Sequence, residues 1–279
     1  MKIVTDSSCD LPDDILAGYD IEVVPLKLYF EGDGTYEDGV TLSKQQFREK
    51  MYHSRDLPQT AGPDPQHFID AFEKAVKEAG AAIYIGLSSQ LSVTFQNGLI
   101  ARDMMGTDKV TLLDSATASI GVGVLAMRAA ELVKQKVDTD VVIKKINACR
   151  DSMVTLCTFD RLENLVKSGR ANKAQELLGN LLDVKLIVHS DNGQIKMLEK
   201  VRGRHRSLDR MATLLGQLAK FSLKDCMIGI SHLDCVQDAE YLRQRVEQMY
   251  QPVKTLLTDM GASMGTHGGR GAIVIAACP

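Results

Sequence analysis

The sequence predicts an α/β protein in two parts. An N-terminal three-layer α/β/α domain with a mostly parallel sheet precedes a C-terminal α/β domain with a largely antiparallel sheet. Three observations predict this. In the first half, short apolar runs alternate with helical patterns, as in a parallel sheet covered on both faces. In the second half, Asn192-Gly193 stands between two extended runs. That is a hairpin signal, because both turn residues must take positive φ. The chain has 279 residues, about two domains at roughly 150 residues each. The expected division is 1–153 and 154–279, with a ligand held between the two.

Each element follows from its own residues. Lys2–Thr5 reads as a buried strand. Ile21–Phe30 is a second extended stretch, and Pro25 inside it marks an edge or a bend. A helix starts at Asp64-Pro65: Asp64 can accept from the free N–H groups, and Pro65 suits the first helical position. Phe68, Phe72, Ala75, Val76 and Ala79 then share one face, and Gly80 ends the helix. Ala81–Leu87 is a strand. The next helix, opened by Ser92 or a neighbour, turns Phe95, Leu99 and Ile100 inward. Lys109–Leu113 is a strand, followed by a long helix through Val124, Leu125, Ala129, Leu132 and Val133.

Beyond it, Asp160–Lys167 and Lys173–Leu182 read as short helical segments. Val184–His189 and Gln194–Val201 are the hairpin strands. A helix follows with Leu208, Met211, Leu215 and Leu218 inward. Cys226–Ser231, a helix through Leu242 and Val246, then Val253–Thr258 and Gly271–Cys278 complete the half.

Composition narrows the function classes. Lys+Arg is 33 and Asp+Glu is 36, a net charge of −3, with 44% hydrophobic and 25% charged residues. This is ordinary globular composition. It excludes a disordered chain, a collagenous one and a polyanion binder relying on bulk positive charge. The longest apolar runs, such as Gly271–Cys278, fall short of the ~20 residues a bilayer span needs. Asp6 and Asp10 interrupt any signal-peptide core, so the expected location is cytoplasmic. The six cysteines form no CxxC pair and read as free thiols in a reducing compartment, without a metal clip.

In such folds functional residues gather in loops at the carboxyl ends of strands. Three such loops are rich in hydroxyls: Thr5-Asp6-Ser7-Ser8, Gly86 to Ser92 with Ser88 and Ser89, and Asp114-Ser115 to Ser119. Each leads into a helix N-terminus, where free N–H groups and the helix dipole favour anions. Taken singly, these hydroxyls read as helix caps, and Asp6 and Asp114 as acceptors that fix their loops rather than as acids. Together they should converge on one edge of one sheet. Gly261 to Gly271 holds five glycines in eleven residues around Thr266 and His267, a Gly-rich loop before a final strand. Lys200 to Arg206 is locally basic. It reads as a solvated strand end or as a docking face for an acidic or phosphate-bearing partner; without interleaved aromatics it does not suit nucleic acid. No GxSxG elbow surrounds Ser88, Ser89 or Ser92, and no GxxxxGK[ST] loop or HExxH is present.

These blocks together resemble the DegV family, whose characterised members are the fatty-acid-binding subunits of the bacterial fatty acid kinase system. The resemblance runs nearly end to end. It rests on six blocks in order: Thr5 to Pro12, Gln59 to Pro63, Leu87 to Gln96, Asp114 to Gly121, Leu165 to Arg170 and Gly265 to Gly271. It implies a two-domain protein that grips a long acyl chain between its domains. The family's carboxylate-binding Thr and Ser fall on Thr60 and Ser92, with Thr266 and His267 beside the ligand. Its rim Arg and His fall on Arg202 and His267. Arg170 reads as a loop-fixing residue. The resemblance further implies a separate ATP-bearing kinase that phosphorylates the bound carboxylate. The chain itself is then a carrier, not an enzyme, with no ATP site and no cofactor beyond its fatty acid.

The family usually has Thr-Ser-Gln-Pro where this chain has Thr60-Ala61-Gly62-Pro63, and Gly where Val93 stands. It usually has Gly-Gly-Arg-Ile at Ser168-Gly169-Arg170-Ala171. These departures leave Thr60, Ser92 and His267 in place. Two other readings stay open from the residues. One is a subunit or enzyme for a small polar, ketone-like molecule held by His267. The other is a hydrolase pairing Ser92 with His267, for which no elbow motif exists.

Overall fold

A computed structural model describes residues 1–170 and 183–279. Ala171 and the expected helical segment Lys173–Leu182 lie outside the described residues. The first part runs β1 (Lys2–Asp6), α1 (Asp13–Tyr19), β2 (Ile21–Val24), β3 (Lys27–Phe30), β4 (Gly34–Glu37), α2 (Lys44–His53), β5 (Gln59–Ala61) and α3 (Pro65–Ala79). It continues with β6 (Ala82–Gly86), α4 (Thr94–Met105), β7 (Val110–Asp114), α5 (Ile120–Lys134) and α6 (Thr139–Ser152). The second part comprises β8 (Val154–Thr158), α7 (Glu163–Lys167), β9 (Val184–Asp191), β10 (Gln194–Arg202) and α8 (Arg204–Leu218). It ends with β11 (Met227–His232), α9 (Val236–Tyr250), β12 (Lys254–Asp259), α10 (Ala262–Gly268) and β13 (Ile273–Cys278).

The predicted class holds. Strands β2-β1-β6-β7 form a wholly parallel sheet, so the loops after β1, β6 and β7 open on one edge. The second sheet has the order β10-β9-β8-β13-β11-β12 and is antiparallel except for the β11–β12 pair. Pro25 does break the Ile21–Phe30 stretch. Lacking an N–H, it cannot continue a ladder. Before it, β2 joins the parallel sheet; after it, β3 pairs with β4 and β5 in a small antiparallel sheet. At Asn192-Gly193 both φ angles are positive, 51° and 80°, as the hairpin requires.

Helix α5 is the partition between the sheets. Its apolar residues from Ile120 to Ala130 are all buried, because it packs on β1 from one side and on β13 and β11 from the other. Gly123 permits the close fit: a Cβ there would stand 2.5 Å from the Cys9 carbonyl oxygen. Two satellite cores complete the layers. Phe68, Phe72 and Tyr84 pack under α3 and α4, and Leu208, Met211, Leu215, Leu242 and Val246 pack under α8 and α9.

Several expectations are corrected. Asp64 does not cap α3 with its side chain; its carboxylate pairs with Lys27. Ile100 and Leu218 are exposed rather than inward. The Gly261–Gly271 stretch is not all loop, since Ala262–Gly268 is a short helix of about two turns closed by Gly269 at φ 69°. Glycines are poor helix formers; this helix is held by distant partners described below. Strands β4, β5 and β8 and helices α1, α2 and α6 also went unpredicted. For α2 a signal existed, the Ser43…Gln46 capping box, in which each side chain bonds the other residue's backbone N–H.

Candidate functional site

Helix α10 is where the two halves of the chain meet chemically. Its first N–H groups need acceptors, and two buried carboxylates from the N-terminal part supply them. Asp10 accepts from Gly261 N at 2.7 Å, and Asp38 accepts from Ala262 N at 3.0 Å and Ser263 N at 2.9 Å. Asp10 also accepts from the Ser231 hydroxyl at 2.9 Å and from Ser119, while Asp38 accepts from Ser7 at 3.2 Å. Burial pushes the Asp10 carboxyl up to about 6, opposed by the Lys44 cation and these donors. Asp38 is raised by burial in the same way. Sequence reading missed Asp38. No motif marks it, because its partners on α10 lie more than two hundred residues away.

This anchoring fixes His267 on α10. Its Nε2 lies 3.0 Å from Thr60 Oγ1. Its Nδ1 is buried and has no protein partner among the described residues. Burial, with the positive charge of Arg170 as the lesser cause, pushes the imidazole down to about 4. The ring is therefore neutral near pH 7, with one nitrogen donating and one accepting.

Thr60 lies on β5 opposite Leu28. The segment after it is laid along the start of α4. A Cβ at Gly62 would stand 3.1 Å from Thr94 Oγ1, and Asn97 Nδ2 donates to Pro63 O at 2.8 Å. Ser92 belongs to the same group: its Oγ is 2.8 Å from Thr94 Oγ1 and accepts from Thr94 N at 3.2 Å. Thr60 is thus bonded to His267, and Ser92 to Thr94, which lies beside Gly62, two residues after Thr60. Ser92 and His267 are not hydrogen-bonded to each other, so they form no nucleophile–base pair.

His267 also lines a cavity of about 90 Å³, partly open to solvent. On one side the wall is Leu91 and Thr117 to Ser119, from the loops after β6 and β7. On the other it is the mixed sheet and its connections: Phe159, Leu165, Val188, Ile195, Met260 and Met264 among others. The lining is chiefly apolar.

The remaining predicted residues fall into two groups. Most of the loop residues hold the loops. Buried Asp6 accepts from Tyr84 Oη at 2.7 Å, Leu87 N at 2.9 Å, Ser8 N at 3.1 Å and the Ser8 hydroxyl. Asp114 accepts from Ser89 N at 3.2 Å and Ala116 N at 2.9 Å. Ser115 bonds within its own turn, to Thr117. Ser88 donates to Gly193 O at 2.8 Å and so ties the hairpin tip to the loop after β6. Ser119 alone of this group reaches the cavity wall, from a strained φ of 57°.

The second group stands apart from the cavity. Thr266, expected beside the ligand, donates instead to Ala262 O within its helix at 2.9 Å and is buried. Its carbonyl accepts from Asn164 Nδ2 at 3.0 Å. Arg170 is exposed and donates to Ser168 O at 2.5 Å. Arg202, the last residue of β10, is exposed and pairs with no side chain among the described residues.

Two main sheets, a partition helix and an apolar cavity edged by a neutral imidazole make up an α/β architecture of two halves. The family model for DegV proteins, described as uncharacterised, matches residues 1–279. A DegV domain-containing protein of Listeria monocytogenes is 33% identical over 275 residues, 98% of this chain and 96% of that one. Among solved structures, a fatty-acid-binding DegV family protein of Thermus thermophilus superposes with a TM-score of 0.92 at 26% identity, covering 99% and 98% of the two chains. DegV of Bacillus subtilis, a fatty acid binding protein, gives 0.87 at 30% identity, covering 99% and 98%. The chain belongs to the DegV family. Among the described residues no helix is long and apolar enough to cross a membrane.

Proposed function

We propose that this protein binds a long-chain fatty acid, its alkyl chain in the cavity and its carboxylate at Thr60 and Ser92. The observation that carries this reading is one residue with two faces: His267 lines the apolar chamber and reaches the Thr60 hydroxyl. A sixteen-carbon acid buries ~14 methylenes, favourable by roughly 11 kcal/mol at ~0.8 kcal/mol each. Ordering the chain and losing translational freedom offset much of that. An unpaired buried carboxylate would cancel the remainder. The hydroxyls of Thr60 and Ser92 can donate to it. The neutral imidazole, having one N–H, can support Thr60 without neutralising the ligand. Fatty acid binding by the Thermus thermophilus and Bacillus subtilis proteins supports the reading.

On this reading residues 1–153 and 154–279 act as two domains that close on the ligand. A separate ATP-dependent kinase phosphorylates the presented carboxylate, with Arg202 and His267 toward the partner. The protein is a carrier and does no chemistry of its own. The apolar wall favours a fatty acid over a small polar ketone, whose hydroxyl and carbonyl groups would lack partners there. The test is direct. Purified protein is extracted with organic solvent and the extract analysed by mass spectrometry, then the delipidated protein is titrated with palmitate and oleate. An enriched fatty acid and saturable binding are expected. An extract without fatty acid, and no binding of either acid, overturn the proposal.

A further inference from the structure

A second cleft, of about 660 Å³, opens at the carboxyl ends of the parallel pair β11–β12. It shares no residue with the lining of the apolar cavity. In open α/β sheets, ligands sit in the crevice beyond the carboxyl ends of parallel strands. Here topology builds such a crevice. His232 and Asp259, the last residues of β11 and β12, are register partners. The connection after β11 turns through Asp234 and Cys235 into α9, and α2 brings Arg48 to the same cleft from the N-terminal part.

Hydrogen-bonding groups without partners collect there. His232 lines the cleft and is only 5% exposed. Neither of its nitrogens makes a hydrogen bond: Nε2 lies 3.7 Å from Asp259 Oδ1, beyond reach, and Nδ1 has no partner among the described residues. Burial holds the ring below its ordinary value, against the pull of Asp259, so it is neutral near pH 7 and can donate once and accept once. Helix α9 begins at the same wall. Its N-cap residue Cys235 supplies no side-chain acceptor, and the N–H groups of Val236, Gln237 and Asp238 donate to no protein group among the described residues. They carry the positive end of a fifteen-residue helix. Arg48 Nη1 stands 3.6 Å from Asp259 Oδ1, also too far for a hydrogen bond.

Three carboxylates border the cleft, and two of them are neutralised. Asp234 pairs with Arg270 at 2.9 Å and Asp238 with Arg204 at 2.8 Å. The Asp259 carboxylate makes no hydrogen bond among the described residues; Lys44 donates to its backbone carbonyl instead, at 2.6 Å. The cleft thus offers a donor set suited to an anion and one carboxylate free to accept. A bare cation would meet Arg48 and the helix dipole. A bare anion would leave Asp259 opposing it. A molecule with an anionic end and hydroxyl groups satisfies both. Three backbone N–H groups and a guanidinium match the three terminal oxygens of a phosphate better than the two of a carboxylate.

We infer that this cleft binds a small phosphate monoester carrying hydroxyl groups, of the sugar-phosphate class. The phosphate lies on the start of α9 and Arg48, and the hydroxyls lie on Asp259 and His232. The site is independent of the fatty acid reading, since none of its residues belongs to the acyl cavity.

The experiment titrates ¹⁵N-labelled full-length protein, at low ionic strength, with ribose 5-phosphate, with inorganic phosphate and with ribose, following the backbone amide resonances. Ribose 5-phosphate should move the Val236, Gln237 and Asp238 signals saturably. Inorganic phosphate should do so about tenfold more weakly, and ribose not at all. Arg48→Gln should weaken ribose 5-phosphate by about tenfold. Asp259→Asn should weaken ribose 5-phosphate but tighten inorganic phosphate, because it removes the opposing charge along with the hydroxyl acceptor. Both variants should bind palmitate as the wild type does. The absence of saturable shifts at the start of α9 overturns the inference, as does equal affinity for inorganic phosphate and ribose 5-phosphate, or unchanged affinity in a folded Arg48→Gln. The wild-type titrations decide the matter even if a variant fails to fold.

Discussion

Replacing His267 with Gln changes how stability responds to acid, and the structure sets the size of the change. The imidazole is pushed from its ordinary 6.5 to about 4, chiefly by burial. Below pH 6.5 the unfolded chain takes up a proton at this position that the folded chain refuses. Stability is therefore fully present above the unfolded value and is lost as pH falls toward 4. At ~1.36 kcal/mol per tenfold in proton affinity, the full loss is about 3 kcal/mol, of which about 2 falls between pH 7.5 and pH 5. Asp10 works in the opposite direction. Its raised carboxyl makes stability fall as pH rises through the interval between its unfolded value and about 6. That contribution is common to both proteins and cancels in their difference. Urea denaturation of ligand-free wild type and His267→Gln at pH 5 and pH 7.5 measures that difference. The wild type should lose about 2 kcal/mol more than the variant on going to pH 5. Equal losses would show that the ring protonates freely, and the neutral imidazole at the chamber mouth would have to be given up.

Four further outcomes are expected. Ser92→Ala and Thr60→Val should each weaken palmitate binding by about 1–3 kcal/mol, through loss of a donor to a charged group; calorimetric titration of delipidated protein reads this directly. Asp38→Ala leaves the N–H groups of Ala262 and Ser263 without their acceptor, so the urea midpoint should fall by the equivalent of about 3 kcal/mol; an unchanged midpoint would mean that α10 is held some other way. Gly193→Ala should cost more than 1 kcal/mol. It puts a side chain at φ 80° and into the Ser88 hydroxyl; the change would be read as a lower thermal midpoint. Ala118→Phe projects a ring into the cavity and should abolish palmitate binding while leaving the far-ultraviolet circular dichroism unchanged.

Much of this was legible from local chemistry. Pro65 and Gly80 bound α3, and Asn192-Gly193 fixed the hairpin, because in each case one residue's backbone restriction decides the geometry. Pro25 announced a bend and delivered a change of sheet. The acceptor roles of Asp6 and Asp114 followed from their places at strand ends. What the residues could not disclose were partners remote in the chain. Ala262–Gly268 looks like a flexible glycine loop until Asp10 and Asp38 are seen at its start. Thr266 looked like a ligand residue beside His267, but one position along a helix turns a side chain by about 100° and sends its hydroxyl inward to Ala262. Strand β8 escaped because its Thr155, Cys157 and Thr158 blur the apolar pattern, and its strand character comes from lying between β9 and β13.

The capping of α10 by Asp10 and Asp38 has a bearing on how such a protein can be taken apart or rebuilt. A fragment carrying only the latter half would retain His267 in its covalent chain yet forfeit the acceptors that orient it. A fragment carrying only the former half would keep Thr60 without its imidazole. Exchange of halves between relatives would thus succeed only if both acidic residues travelled with, or were matched to, the glycine-rich turn they hold.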